Sequence, residues 1–260
     1  MKKKFSGRVA LVTGGASGIG KVTAQIFARE GASVIVATDA NIKGGEETVS
    51  LIKKAGGEAT FIKCDVSRAS EVEAMVNECV RIYGRLDYAF NNAGIGPDGV
   101  RVPIVSIAEC PEDVWDRTID VNLKGVFLCM KYEINQMLKQ KYGVIVNTAS
   151  VGAWKSTPGF CAYSASKSGM VAITRTAAIE YATSGIRVNV ILPGPTRRTL
   201  LNEYLTSARP DEIEHMLNMV PMRRVAEPED MAEAVIWLCS DAASFVTGVA
   251  LPVDGGLTST

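Results

Sequence analysis

A single histidine, His215, stands in 260 residues. That scarcity excludes a multi-histidine metal centre and any histidine-based triad, so proton transfer falls to other side chains. Neither sign of charge is in excess, with 28 Lys and Arg against 28 Asp and Glu. Without surplus cations the chain has little with which to neutralise a phosphate backbone, and nucleic acid is not an expected partner. No run approaches the ~20 apolar residues of a membrane span. Lys2, Lys3 and Lys4 imitate the head of a signal peptide, but the apolar run at 9–12 is too short and Arg8 interrupts its approach. The six cysteines (Cys64, Cys79, Cys110, Cys129, Cys161 and Cys239) form no CxxC pair and no ligand spacing. They read as reduced core thiols in a soluble, cytoplasmic protein without a metal.

What is present is the balance of a globular chain, 47% apolar and 22% charged, and 260 residues suffice for one large α/β domain spanning 1–260. Short β-branched runs at 8–13, 33–38, 59–63, 88–90, 144–147 and 187–192 alternate with longer amphipathic segments. A helix at 231–239 and a last apolar strand at 249–253 close the chain. Such alternation predicts a doubly wound domain: a mostly parallel sheet with right-handed crossovers that put helices on both faces. Residues 195–221 break the pattern, and their mixed apolar and charged sequence predicts helices forming a mobile lid that helps select substrate.

The first strand runs into Thr13-Gly14-Gly15-Ala16-Ser17-Gly18-Ile19-Gly20, followed by a helix-like segment. Glycines let a backbone turn sharply and approach a pyrophosphate, and the open N–H groups at a helix start favour its charge. The second strand ends near Asp39, a carboxylate placed to accept hydrogen bonds from an adenosine ribose and to repel a 2′-phosphate, which favours NAD over NADP. Lys21 and Lys43 are the cations near enough in sequence to oppose that preference. Taken alone, the first feature is a glycine-rich turn and the second a solvated loop aspartate.

Tyr163 and Lys167 lie four apart in Tyr163-Ser164-Ala165-Ser166-Lys167, so a helix puts phenol and ammonium on one face. A free tyrosine titrates at about 10, and an adjacent cation favours the phenolate, which makes Tyr163 a candidate acid and base. Ser150, at the end of the fifth strand, is close enough in sequence for the intervening loop to bring both hydroxyls to one carbonyl.

Together these elements, with Asn91-Asn92-Ala93-Gly94, resemble the short-chain dehydrogenase/reductase family and its Rossmann-type sheet. The likeness extends through Cys64-Asp65-Val66, Asn122 in Val121-Asn122-Leu123-Lys124-Gly125, Pro193-Gly194 and Val253-Asp254-Gly255-Gly256. It implies a catalytic set of Asn122, Ser150, Tyr163 and Lys167. Tyr163 would exchange a proton with the substrate oxygen and Ser150 would hold that oxygen. Lys167 would bind the nicotinamide ribose and depress the tyrosine pKa, and Asn122 would support a water-linked relay. It also implies that Thr13, Gly14, Ser17, Gly18, Ile19 and Gly20 bind NAD, with Asp39 on the ribose and Asp65 and Val66 at adenine. Asn92, Ala93 and Gly94 would line the cleft, and Pro193, Gly194 and Thr196 would lie near the nicotinamide. The chain departs from the family in two places. Thr38 is inserted ahead of Asp39, and Pro195-Thr196-Arg197-Arg198-Thr199 replaces the usual apolar residue and threonine, leaving Thr196 and Thr199 as alternatives.

The implied reaction is hydride transfer between NAD(H) and a secondary alcohol or ketone. Trp154 and Phe160 flank the loop before Tyr163, either as walls of a pocket for an alicyclic or aromatic substrate or as loop packing. Arg197 and Arg198 read as solvated lid charges before they read as an anion site. The competing readings are an NADPH-dependent ketoacyl-thioester reductase and a non-catalytic dinucleotide sensor. By the resemblance, the carboxy-terminal region builds the interface of a homotetramer.

Overall fold

The computed structural model describes residues 3–98, 102–199 and 210–259. Seven strands form one sheet, every pairing parallel, in the order β3-β2-β1-β4-β5-β6-β7. They are β1 (Val9–Thr13), β2 (Ser33–Thr38), β3 (Glu58–Lys63), β4 (Tyr88–Asn91), β5 (Gly143–Thr148), β6 (Ile186–Pro193) and β7 (Ala250–Val253). The runs expected from sequence fall on these strands, with ends displaced by a residue where hydrogen bonding extends past the β-branched core. The central strands are apolar and buried along their length, as a parallel sheet covered on both faces requires.

Alternation sorts those side chains into two cores. Val9, Leu11, Ile35 and Ile145 face α3 (Ala69–Tyr83), α5 (Gly125–Gln140) and α6 (Cys161–Tyr181). Ala10, Val12, Val34, Val36, Val144 and Val146 face α1 (Gly18–Arg29), α2 (Ile42–Lys54) and α8 (Pro228–Cys239). The ends of the helices follow local chemistry. Gly84, with φ 77°, terminates α3, and Pro228 opens α8 inside a Glu227/Asp230 capping box. Ahead of α5 lies α4 (Glu112–Ile119), and one π-helical turn, Asp120–Lys124, joins them.

Of the segment read as a lid, 200–209 lies outside the described residues. Its flanks are built into the fold. Arg197 N–H donates to the Ala226 carbonyl at 2.8 Å and Ala226 N–H to that of Pro195 at 2.9 Å. A helix, α7 (Pro210–Met219), leads to Met222, whose N–H donates to the Gly255 carbonyl at 3.1 Å.

Candidate active site

The strand order reverses between β1 and β4, and the crevice beyond their carboxyl ends is where an open α/β sheet admits a ligand. The glycine loop forms one wall. Gly14 has φ 64°, and a Cβ there would lie 2.9 Å from the Ala93 Cα. At Gly20 a Cβ would run into the Gly14 carbonyl oxygen, so the loop closes on the helix only without side chains. Ser17 caps α1 through its extended backbone while its hydroxyl makes no capping bond, and the first turn carries no acidic residue. The helix start is therefore open to an anion. Ile19 is buried beneath it.

Thr13 ends β1 beside the crevice. It is buried, and its hydroxyl oxygen accepts from Asn92 N–H at 3.0 Å and Ala93 N–H at 3.1 Å. Its part in the site is to hold the segment after β4 against the end of β1. The Asn92 amide donates to the carbonyls of Thr13 and Gly14, both at 3.4 Å.

Asp39 follows the end of β2 and is exposed. Lys21 is drawn to Glu47, 3.3 Å away. Asp65 is committed to its own loop: its carboxylate accepts from Ser67 N–H at 3.0 Å, Ser67 Oγ at 2.7 Å and Arg68 Nε at 3.2 Å. Burial opposes the charge of that carboxylate, but those donors outweigh it and hold the group below its ordinary value. Val66 is buried under α5, where a Cβ at Gly125 would stand 2.9 Å from its Cγ2.

The proton-transfer residues converge at the end of β5. Ser150 starts a short 3-10 turn, its Oγ accepting from Gly152 N–H at 3.0 Å. Tyr163, in the first turn of α6, brings its phenol beside the Ser150 hydroxyl, which favours the phenolate. Gly152 lies beneath both, and a Cβ there would meet Ser150 Oγ at 3.4 Å and Tyr163 Cε1 at 3.5 Å. Lys167, one turn on and only 5% exposed, extends its Nζ to the Thr148 carbonyl at 2.7 Å, and that Nζ lies 5.6 Å from the centre of the Tyr163 ring.

Burial is the largest influence on both groups. Burial pushes Tyr163 above its ordinary value, with the Ser150 hydrogen bond as the opposing influence, and burial lowers Lys167 to about 8. The Lys167 Nζ is directed to the Thr148 carbonyl and over the face of the ring.

Asn122 sits on the π turn, wholly buried. Its Oδ1 accepts from Ile95 N–H and its Nδ2 donates to the Ile95 carbonyl, both at 2.8 Å, with Ser166 Oγ at 3.3 Å from Nδ2. The side chain thus clamps the chain after Gly94. Ser166 completes the clamp by donating to the Tyr163 carbonyl at 2.7 Å. Ile95, Gly152, Ser166 and the Thr148 carbonyl escape a reading from sequence because they act through backbone atoms or small side chains without a motif of their own.

The loops around this centre divide the remaining candidates. Pro193 ends β6, and at Gly194 a Cβ would stand 2.8 Å from the Asp254 Cα, which packs the Pro193-Gly194 turn against the closing Asp254-Gly255-Gly256. Thr196 is buried, its Oγ1 donating to the Gly194 carbonyl at 2.9 Å, while Thr199 Oγ1 donates to the Thr196 carbonyl at 2.7 Å. A Cβ at Gly18 would lie 2.6 Å from the Arg198 carbonyl oxygen, so this strap crosses the start of α1. Arg197 pairs with Glu227 at 3.3 Å, and Arg198 with Glu227 at 3.2 Å and Glu229 at 2.8 Å. Phe160 meets Tyr163 edge to face with ring centres 6.3 Å apart. Trp154 is 49% exposed.

Comparison with known proteins agrees with this arrangement. The family model described as enoyl-(acyl carrier protein) reductase matches residues 14–258. An uncharacterized oxidoreductase of Thermotoga maritima is 42% identical, covering 98% of this chain and 99% of its own. A 2,5-dichloro-2,5-cyclohexadiene-1,4-diol dehydrogenase of Sphingobium indicum is 40% identical, covering 98% of both chains. The cyclohexanol dehydrogenase of an Acinetobacter species is 39% identical over 100% of this chain and 98% of its own. Among solved structures, levodione reductase superposes with a TM-score of 0.91 at 33% identity, covering 98% of this chain and 99% of that one. The full-length matches, the glycine loop at the sheet's switch point and the grouping of Ser150, Tyr163 and Lys167 lead to one conclusion: the chain belongs to the short-chain dehydrogenase/reductase family of oxidoreductases.

Proposed function

We propose that the protein is an NAD(H)-linked dehydrogenase that interconverts an alicyclic secondary alcohol and its ketone. The observation that carries this reading is the convergence of the Ser150 and Tyr163 hydroxyls beside a buried Lys167. A dinucleotide suits the crevice because Gly14 and Gly20 let the loop close tightly on the start of α1, which is open to a pyrophosphate. Gly14 to Gly20 would hold the pyrophosphate and Asp39 the adenosine ribose, with Asp65 and Val66 at adenine. Asn92 to Gly94 would line the cleft, and Thr196 would lie toward the nicotinamide. Asp39 and the engagement of Lys21 by Glu47 support NAD over NADP. When bound, the dinucleotide supplies the hydride acceptor for an alcohol or the hydride donor for a ketone.

Ser150 holds the substrate oxygen by a hydrogen bond from Oγ, and Tyr163 Oη takes the hydroxyl proton in oxidation and returns it in reduction. Burial favours the neutral phenol, which suits proton donation to a ketone. For oxidation, the Ser150 hydroxyl favours the phenolate, and a charged Lys167 would add to it. Lys167 would also orient the nicotinamide ribose. Asn122 fixes the segment at Gly94 and Ile95, so its place in a proton relay falls to its backbone rather than to its occupied amide.

The names of the cyclohexanol and cyclohexadienediol dehydrogenases support a ring-shaped alcohol. So does the apolar wall that Phe160 places against Tyr163. We also propose a soluble, cytoplasmic homotetramer. Phe127, Ile179, Trp237 and the fully exposed Phe245 form apolar surface that a second copy would cover, and no helix among the described residues is long and apolar enough to cross a membrane. Light scattering that detects only monomer would remove the oligomer.

The test is turnover of a panel of cyclic, aromatic and linear secondary alcohols with NAD and with NADP. NAD-linked oxidation of the cyclic members supports the reading. Dinucleotide binding without turnover across the panel would favour a sensor, and a strong preference for NADPH would favour a biosynthetic reductase.

A further inference from the structure

A chain of buried polar side chains crosses the core from α5 to α6 beneath the site. Asn91 Nδ2 donates to Glu133 Oε2 and to Asn147 Oδ1, each at 3.0 Å. Asn147 Nδ2 donates to Thr174 Oγ1 at 2.9 Å and to Met130 Sδ at 3.2 Å, and Thr174 Oγ1 donates to the Met170 carbonyl at 2.8 Å. Asn91 is the last residue of β4, and Asn147 pairs with it in register on β5. Beyond Asn91 come Asn92 to Gly94 at the crevice; beyond Asn147 come Thr148, whose carbonyl holds Lys167, and Ser150. These bonds therefore tie together the two strand ends and the helix that carry the site.

Both hydrogens of each amide are thus spent. Two oxygens remain without a donor, Glu133 Oε1 and Asn91 Oδ1, on side chains that are 0% and 1% exposed. A carboxylate in this place brings a charge and no donor, whereas a carboxylic acid brings the one donor the pair lacks. Among the described residues, Cys79 of α3 and Cys129 of α5 are the ionisable groups that feel the charge of Glu133, and burial pushes both thiols up, so both are neutral. Burial likewise raises Glu133 to about 7, in agreement with the count of donors.

We propose that Glu133 is a positioning residue held as a neutral carboxylic acid, its Oε1–H donating to Asn91 Oδ1, and that this bond fixes the ends of β4 and β5 beneath the reacting groups. The role in the reaction rests on the catalytic reading above; the proton does not. Loss of the proton leaves a buried charge with a single donor, from Asn91 Nδ2, and leaves Asn91 Oδ1 with none. The amide that ends β4 then loses its fixed setting, and with it the segment that enters the crevice and the bond to Asn147. Glutamine carries a donor and an acceptor at every pH, so Glu133→Gln is a permanent mimic of the protonated state.

The test compares the full-length parent with Glu133→Gln by infrared difference spectra and by turnover of a cyclic ketone with NADH, from about pH 6 to about pH 8.5. The parent should show a protonated-carboxyl band that fades as pH rises through about 7 and is missing in the variant. Titration of Tyr163 and Lys167 is common to both proteins and cancels in the ratio of their kcat values. That ratio should be close to unity at the acid end and rise several-fold in favour of glutamine at the alkaline end. A parent spectrum with no band that the variant removes overturns the proton and leaves the catalytic reading untouched. A ratio that does not change with pH overturns the positioning role. Absence of turnover in the parent overturns the catalytic reading and the positioning role with it, while the band still decides the proton.

Discussion

Lys167 Nζ donates to the carbonyl oxygen of Thr148 at 2.7 Å, which ties the first turns of α6 to the end of β5 and sets the ammonium below the Tyr163 ring. Lys167 is buried and its Nζ is fixed on that carbonyl, so a longer, planar guanidinium would not reproduce the position of the ammonium. Lys167→Arg should therefore keep the charge and lose at least about tenfold in kcat, since a misplaced group near the chemistry is that expensive. Steady-state kinetics with matched circular dichroism checks this; an arginine variant as active as the parent would mean that charge alone matters.

Ser150→Ala removes the hydroxyl beside Tyr163 together with its bond from Gly152 N–H, while the backbone bond from Ala153 N–H to the residue-150 carbonyl still holds the turn. A hydrogen bond to a charged group contributes about 1.5–3 kcal/mol, so kcat should fall roughly ten- to hundredfold. The pH at which oxidation reaches half its plateau should rise, because the bond from Ser150 is the influence that lowers the Tyr163 pKa. An unchanged pH profile would contradict that role.

The sheet was legible from its apolar, β-branched runs, since a parallel strand buried on both faces advertises itself in Val34 to Val36 or Val144 to Val146. The grouping of Ser150, Tyr163 and Lys167 was legible too, because a helix spacing of four and a strand end carry geometry directly. What sequence could not convey lies in backbone partners. That the Thr13 hydroxyl staples Asn92 and Ala93 is carried by no motif. That the Asn122 amide pairs with the backbone of Ile95 is equally invisible in the chain's order. The field at Tyr163 depends on burial, which only the folded chain defines.

Asp39 is exposed beyond the end of β2, so its substitution perturbs the cofactor without disturbing the core. Asp39→Ser should weaken NADH by about tenfold, which is ~1.4 kcal/mol, and should strengthen NADPH by removing the charge that repels its phosphate. Fluorescence titration with both dinucleotides measures this. Equal affinities of parent and variant for each would place the ribose elsewhere.

Glu133 is fully buried on α5, with one hydrogen bond, from Asn91 Nδ2 at 3.0 Å, and no partner for its Oε1. Burial raises its pKa from 4.5 to about 7. Because the folded value lies above the unfolded one, the stability this neutral acid contributes is complete below pH 4.5 and is lost as pH rises through 7. That loss is about 3 kcal/mol at ~1.4 kcal/mol per unit. Glu133→Gln should thus unfold at higher urea than the parent above pH 7, with the difference shrinking toward pH 5. A constant difference across that range would show that Glu133 does not titrate there.

On the proposed function, Tyr163 Oη moves the proton while NAD accepts the hydride from a cyclic secondary alcohol. Reduced-nicotinamide absorbance followed with cyclohexanol, for the parent and for Tyr163→Phe, tests it most directly. The account predicts NAD-dependent turnover in the parent and a loss of at least about a hundredfold in the variant, with dinucleotide affinity retained. A phenylalanine variant that oxidises cyclohexanol at the parental rate would contradict it.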